Sequence, residues 1–337
     1  SHPINVAGKV TSTGTSVFAS LDISGDIDVD GTTNLDVVDI DGAVDMASTL
    51  QVDGVITTDG YISVEGTSGN TGAAGDRWIG GDGTAGTWFY NVPTGSNHYF
   101  AVNNANKFII AADGSLSTPT LGTSNVRFGV NAGNSITSGG NYNTVVGDEA
   151  GTAITTSDNN TFMGYAAGDA TTTGNSNTAI GRLALSTNTT GAENTAVGVN
   201  ALYLATTGTF NVAIGNSAGG AVTTGTLNTL VGGLAGDAIT TANQNTAVGY
   251  SALGLTTTGV QNVAIGDHSL DANTTAHYNT AVGSHSLGAN TTGTGNSALG
   301  KGSLGANTTG DNNVAVGADA LDANTTADNN TAVGYAS

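Results

Sequence analysis

The sequence predicts an all-β chain. Its longest part is a trimeric β-solenoid, or β-roll, of 17-residue repeats, preceded by an intertwined triple-stranded β stem and a small β knob. Three observations carry this. Asn recurs at one constant interval, at Asn143, Asn160, Asn177, Asn194, Asn211, Asn228, Asn245, Asn262, Asn279, Asn296, Asn313 and Asn330. A glycine keeps the same interval a little beyond each: Gly147, Gly164, Gly181, Gly198, Gly215, Gly232, Gly249, Gly266, Gly283, Gly300, Gly317 and Gly334. A Thr-Thr pair keeps a constant offset from both, from Thr155-Thr156 through Thr189-Thr190 and Thr274-Thr275 to Thr325-Thr326. A short period held without slippage means units that stack on copies of themselves. The chain divides into a stem over 1–68, a knob over 69–120 and the roll over 121–337.

Within the repeat, Thr-Ala-Val reads as a short strand, and the glycine after it permits a turn at positive φ. One aliphatic column follows the strand: Val146, Met163, Ile180, Val197, Ile214, Val231, Val248, Ile265, Val282, Leu299, Val316 and Val333. A second, mixed column holds Leu185, Leu202, Leu253, Leu270, Leu287, Leu304 and Leu321, with Gly elsewhere. Ordering the backbone costs about 1–2 kcal/mol per residue, and burying two such side chains per coil falls short of that. Several chains side by side are therefore expected, and three is the number adopted. The alanines on the strand's other face (Ala179, Ala196, Ala213, Ala247, Ala264, Ala281, Ala298, Ala315, Ala332) are expected to form a flat surface where chains approach. The stacked asparagines are expected to bond side chain to side chain and hold the register. At about 4.8 Å per coil, twelve coils span roughly 55–60 Å.

Ahead of the roll, residues 4–66 alternate in period two. Leu21, Ile23, Ile27, Val29 and their successors line one face, and Asp22, Asp26, Asp28, Asp30 and theirs the other. Strands of about four residues cannot close a core alone, so three chains wound about one axis are expected to share it. The run Asp26-Ile27-Asp28-Val29-Asp30-Gly31 matches the start of an EF-hand loop, but its twelfth position is Val37 rather than a bidentate Glu. It reads as a solvated acidic face. Residues 77–120 hold Trp78, Trp88, Phe89, Tyr90, Tyr99, Phe100 and Phe108. Alternating runs at 87–92, 98–103 and 107–111 predict a small antiparallel knob with an aromatic core. An irregular first coil opens the roll: Asn125 and Gly129 precede Asn143 and Gly147 by one residue more than the repeat length.

Composition excludes several functions. Acids outnumber bases 26 to 6, a net charge of −20. Sequence-independent nucleic-acid binding needs Lys and Arg to displace counterions, so neither nucleic acid nor anionic lipid is an expected partner. The acidity instead keeps a long particle soluble. Charged residues are only 9% and Gly numbers 52, yet the aliphatics keep phase, so the bias reflects tight turns rather than disorder. There is no Cys, hence no disulfide or thiolate metal site. No apolar run approaches the ~20 residues of a membrane helix, so no membrane insertion is expected, and Ser1-His2-Pro3 does not open a signal peptide.

Units such as Asn194-Thr-Ala-Val-Gly198 and Asn211-Val-Ala-Ile-Gly215 resemble the Asn-Ser-Val-Ala-Ile-Gly repeats of trimeric autotransporter adhesin heads, which form left-handed parallel β-rolls. The longer phrase with Asn-Thr-Thr-Gly, and an acidic stem followed by a Trp/Phe knob, are similar to bacteriophage tail fibres. Such fibres are often followed by a self-cleaving chaperone, which implies processing or truncation near Ser337. The resemblance implies a homotrimeric structural fibre protein of a virion, joined to other tail proteins and attaching to a host-surface glycan or protein. A bacterial surface adhesin or extracellular filament, located at the cell surface, is the alternative, and a polysaccharide depolymerase the second.

Individual residues add no catalytic, cofactor or metal site. His268 and His285 share a column in adjacent coils, with His277 between them. They are candidates to share a metal ion or titrate as a pair, but no carboxylate is read at ligand spacing, and exposed polar side chains are the expectation. Asp237, Asp271 and Asp322 share a turn column, two or three coils apart, about 10–15 Å, too far for a hydrolytic pair. The Asn-Thr-Thr triplets at 188, 273, 290, 307 and 324 satisfy the glycosylation sequon, although the repeat already accounts for them. The Thr-Thr columns raise the idea of a hydroxyl lattice facing ice or crystalline polysaccharide, against which adjacent Thr on a strand point to opposite faces. The chain is not expected to be an enzyme.

Overall fold

A computed structural model describes residues 122–337, together with six strand segments before them: β1 (Tyr61–Ser63), β2 (Trp78–Gly80), β3 (Phe89–Asn91), β4 (His98–Val102), β5 (Ala105–Ile110) and β6 (Leu116–Ser117). Apart from β1, the expected stem and its acidic run at 26–31 lie outside the described residues. β1–β2–β3 and β4–β5–β6 are two antiparallel sheets, the second bulged between Phe100 and Ala101. β3, β4 and β5 fall on the three alternating runs, with β3 in the first sheet and β4 and β5 in the second.

Thirteen three-residue strands follow in one all-parallel sheet, from β7 (Val126–Phe128) and β8 (Thr144–Val146), then one per coil at the repeat interval, to β19 (Thr331–Val333). Each residue pairs with its equivalent one coil on, as in Thr178↔Thr195, Ala179↔Ala196 and Ile180↔Val197. Among the described residues there is no helix. The step from β7 to β8 is longer than the others by a single residue, since Val126 pairs with Thr144. That residue sits in Ser138-Gly139-Gly140: the Thr137 N–H donates to Thr155 O at the longer spacing, whereas the Asn141 N–H donates to Asp158 Oδ1 at the regular one. The solenoid absorbs the insertion in a turn and keeps its ladders in phase.

Each strand ends at its glycine for two reasons. φ at these residues lies between +131° and +140° from Gly147 to Gly334, a backbone that side chains disfavour. Space forbids a side chain as well: a Cβ on Gly198 would stand 2.4 Å from Gly215 O. The glycines are thus a stacked backbone column in which each coil rests on the next.

Beyond the glycine the chain turns through left-handed residues that are mostly not glycine. In one coil these are Leu183 (φ 57°), Leu185 (φ 53°) and Glu193 (φ 59°). Such a conformation costs an L-residue about 1–2 kcal/mol. What offsets it is backbone pairing. The Leu183 N–H donates back to Tyr165 O (2.9 Å), the Leu185 N–H forward to Ala201 O (2.9 Å), and the Glu193 N–H back to Asn175 O (3.0 Å). Left-handed residues flip the peptide, so each coil sends donors to both of its neighbours and leaves few buried backbone groups unpaired.

The core reverses one expectation. Ala179, Ala196, Ala213, Ala247, Ala264, Ala281 and Ala315 are fully buried inside the coil and Ala298 nearly so, rather than forming a surface between chains. The aliphatic column one residue later points outward, with Met163, Ile180, Ile214, Ile265, Leu299 and Val316 each 36–52% exposed. The reason is volume. In many coils the large core side chain comes from the second column, where Leu185, Leu202, Leu253, Leu270, Leu287 and Leu304 are fully buried. Where that column holds Gly, the large residue comes from elsewhere. Phe162 lies over Gly168, Leu230 over Gly219 and Gly236, and Ile154 over Gly151. Close packing is conserved coil by coil although the position of the bulky side chain moves.

Candidate functional site

The asparagine column runs inside the coils and joins each one to the next. Asn125 begins it and Asn330 ends it, with the members from Asn143 to Asn313 at most 1% exposed. In the Asn228 step, its N–H and Nδ2 donate to Asn211 Oδ1 (3.1 and 3.0 Å), and Nδ2 also donates to Ala242 O (2.9 Å). Its Oδ1 in turn accepts from the N–H and Nδ2 of Asn245 (3.1 and 3.3 Å). Every polar atom of the buried amide is therefore used, which is the condition for burying it without net cost. The ladder glycines lie at the strand ends as described above, so both sets of ladder residues have structural positions.

Other polar columns are consumed in the same way. The first Thr of each pair donates Oγ1 to the next coil's Thr carbonyl, as Thr155 does to Thr172 O (3.0 Å) and Thr291 to Thr308 O (3.0 Å). Half of the suggested hydroxyl lattice is thus spent within the solenoid, while the second Thr of the pair, such as Thr207 and Thr258, stays at the surface. Asn188, Asn273, Asn290 and Asn307 of the sequons are fully buried. Their amides bond inside the coil, as in Asn307 Nδ2 to Asn290 Oδ1 (3.0 Å), and the folded chain offers no glycan acceptor there. His277 serves the backbone, because its Nδ1 accepts the Val260 N–H (3.0 Å) at a position where other coils use Asp158, Asn243 or Asp311.

Among the described residues, three outward features stand out. The first is the aliphatic row on the sheet face. The second is a set of exposed large residues just before the asparagines, with Tyr142, Phe210, Leu227 and Tyr278 each 51–62% exposed. The third lies around coils 232–288. Gly254 replaces a side chain between Asp237 and Asp271, leaving a notch of about 250 Å³ lined by these two residues, Ser251, Gly254, Leu255 and His268. Beside it Asp267, His268 and His285 come together. His268 Nδ1 is 3.2 Å from Asp267 Oδ2, and the two imidazoles stack with centroids 5.4 Å apart and planes 18° from parallel. Sequence reasoning paired the histidines but overlooked the carboxylate. The signal was present, since Asp267 precedes His268 directly.

Burial of the Asp237 carboxyl in the notch pushes its pKa above the ordinary Asp value, and burial does the same for Asp169 at the equivalent position. A raised folded-state pKa means that the native chain holds a proton more readily than the unfolded one. The ionised carboxylate therefore weakens the fold above the folded pKa, and that penalty fades as pH falls toward the unfolded value. Asp237→Asn is expected to raise the thermal midpoint at neutral pH, with the gain shrinking as the pH approaches about 4. Thermal melts of the two proteins across that range check it; a gain that grows in acid contradicts the sign.

No family model matches the chain, and neither a curated protein nor a solved structure is found to match it. No helix among the described residues is long and apolar enough to cross a membrane.

Proposed function

We propose that this chain is a structural fibre protein of a virus particle, a tail-fibre segment that assembles as a homotrimer and carries attachment to a host surface. The observation that carries the reading is the aliphatic row from Val146 to Val333, which runs the length of the thirteen-strand sheet and stays half-buried or exposed. Three-residue strands about 3.3 Å per residue wide, stacked at about 4.8 Å, give a face of roughly 600 Å². That is at the top of what a monomer ordinarily leaves as one patch, and near the share each partner contributes to a stable complex. The row parallels the stacking direction, so a cyclic arrangement about an axis along the stack brings identical rows together with all chains pointing the same way. A fibre with a proximal and a distal end needs that polarity. Covering the row also adds apolar burial to a thin core. The exposed Tyr142, Phe210, Leu227 and Tyr278 supply apolar and aromatic surface for a host glycan or protein.

The test is oligomeric mass with cell binding. The native chain is expected to sediment at three times the 32.9 kDa of one copy. Ile214→Asp with Ile265→Asp, which places charges in the row, is expected to sediment as a single chain. Trimer, and not the variant, should bind intact bacterial cells, with binding lost after periodate if the receptor is a glycan. A native chain that is a stable monomer overturns the proposal.

A further inference from the structure

The geometry points to a binding site for one divalent transition-metal ion, of the zinc, nickel or copper class, formed by Asp267, His268 and His285. One ligand atom from each of these residues lies within 4.8 Å of the other two. Around a tetrahedral ion with bonds near 2.0–2.1 Å, donor atoms stand about 3.4 Å apart. His268 Nδ1 and Asp267 Oδ2, at 3.2 Å, are already at that separation. They are not aligned as a hydrogen bond: the Nδ1 atom is buried and has no hydrogen-bond partner. An imidazole nitrogen and a carboxylate oxygen this close, with no hydrogen bond between them, are spaced for one cation to bind both. His285 brings a ring nitrogen to the same group; the residue is exposed, and its Nδ1 lies 2.8 Å from the Ser284 hydroxyl. With the Nδ1–H donated to that oxygen, Nε2 carries the lone pair for the ion, the usual outer-shell fixing of a ligating imidazole.

The backbone holds the set in place before any ion arrives. The His285 N–H donates to Asp267 O (3.0 Å), and the His268 N–H to Tyr250 O (3.0 Å), so the coil-to-coil ladder itself joins the ligand-bearing residues. On the far side Tyr250 packs its ring 5.5 Å from that of His268. Nothing in the repeat demands histidine here: the equivalent residues in other coils include Glu149, Ala166, Asn200, Ser217, Ser251 and Asp319. Two imidazoles with one carboxylate select borderline metals over calcium or magnesium, which prefer all-oxygen shells. Three protein ligands leave a fourth position for water or for a group entering from the adjoining notch.

The experiment uses the full chain without an affinity tag, stripped with chelator and titrated calorimetrically with zinc chloride near neutral pH. One ion per chain is expected, with excess magnesium failing to compete. His268→Ser and His285→Ser install the residue type that Ser251 already supplies at this position, so both should keep the native circular dichroism spectrum and thermal midpoint. Each is expected to weaken zinc binding at least tenfold, and Asp267→Asn similarly. Absence of saturable binding, or equal affinity in a folded His268→Ser/His285→Ser double variant, overturns the site. Neither outcome depends on the oligomeric state or on cell binding.

Discussion

Replacing Phe162 with alanine is expected to destabilise the solenoid by about 3–5 kcal/mol, the usual cost of emptying a buried phenylalanine site, and a second substitution, Gly168→Leu, is expected to restore most of it. Phe162 is fully buried, and a Cβ on Gly168 would lie 2.6 Å from the Phe162 ring. Gly168→Leu alone therefore overpacks the coil and should itself be costly. Together the two changes produce Ala, Leu and Thr171 in the core, the combination that coil 245–261 already contains as Ala247, Leu253 and Thr256. The backbone at Gly168, with φ of +58°, matches that of Leu253 at +53°, so the new leucine meets no conformational penalty its equivalent does not already bear. A double-mutant cycle read from guanidinium unfolding followed by circular dichroism should give a coupling near the top of the usual range, about 3 kcal/mol. Additive destabilisation by the two changes would mean that the coils do not trade volume in this way.

That exchange explains what the sequence made legible and what it did not. The period, the parallel stacking, the strand position and the asparagine ladder follow from residues that never vary, Asn and Gly, because each has one job that only it performs. The second column looked mixed because Leu and Gly alternate without visible order. The order becomes apparent only when Phe162, Leu230, Ile154 and Ile239 are found filling the space above the glycines. The inverted strand faces have the same origin. Alanine and valine alternate with period two whichever way the strand is turned, and hydrophobicity alone favours burying the valine. The leucine already fills most of a coil this short, and the choice of face is made by volume in three dimensions. The left-handed leucines were hidden for a third reason. Leu183 and Leu185 follow no turn propensity, and their conformation is imposed by the need to send N–H groups to both neighbours. At the candidate site, the column arithmetic placed His268 above His285. It counted residues at the same offset only, and so passed over Asp267, whose offset is one less.

The asparagine ladder gives the second large effect, and charge distinguishes it from simple loss of packing. Asn228→Ala removes a fully buried amide and leaves the Asn245 N–H, Asn211 Oδ1 and Ala242 O each short of a partner. At about 1–3 kcal/mol for each buried group left unpaired, a loss on the order of 3–5 kcal/mol is expected. Asn228→Asp preserves shape and still accepts from Asn245. On the donor side it turns an oxygen toward Asn211 Oδ1 and Ala242 O, three acceptors without a proton among them. An ionised carboxylate there is buried and uncompensated, so the loss at neutral pH should exceed that of the alanine variant. Protonation supplies the missing donor. The folded-state pKa of the introduced acid must then lie above its unfolded value of about 3.9, and the excess penalty should diminish as pH falls between the two. The alanine variant has no such proton and should keep a constant deficit relative to the native chain. Denaturant midpoints of the three proteins at neutral pH and near pH 4 separate the cases. If Asn228→Asp is as stable as the native chain at neutral pH, the amide is not held between two acceptors, and the ladder cannot be what keeps successive coils in register.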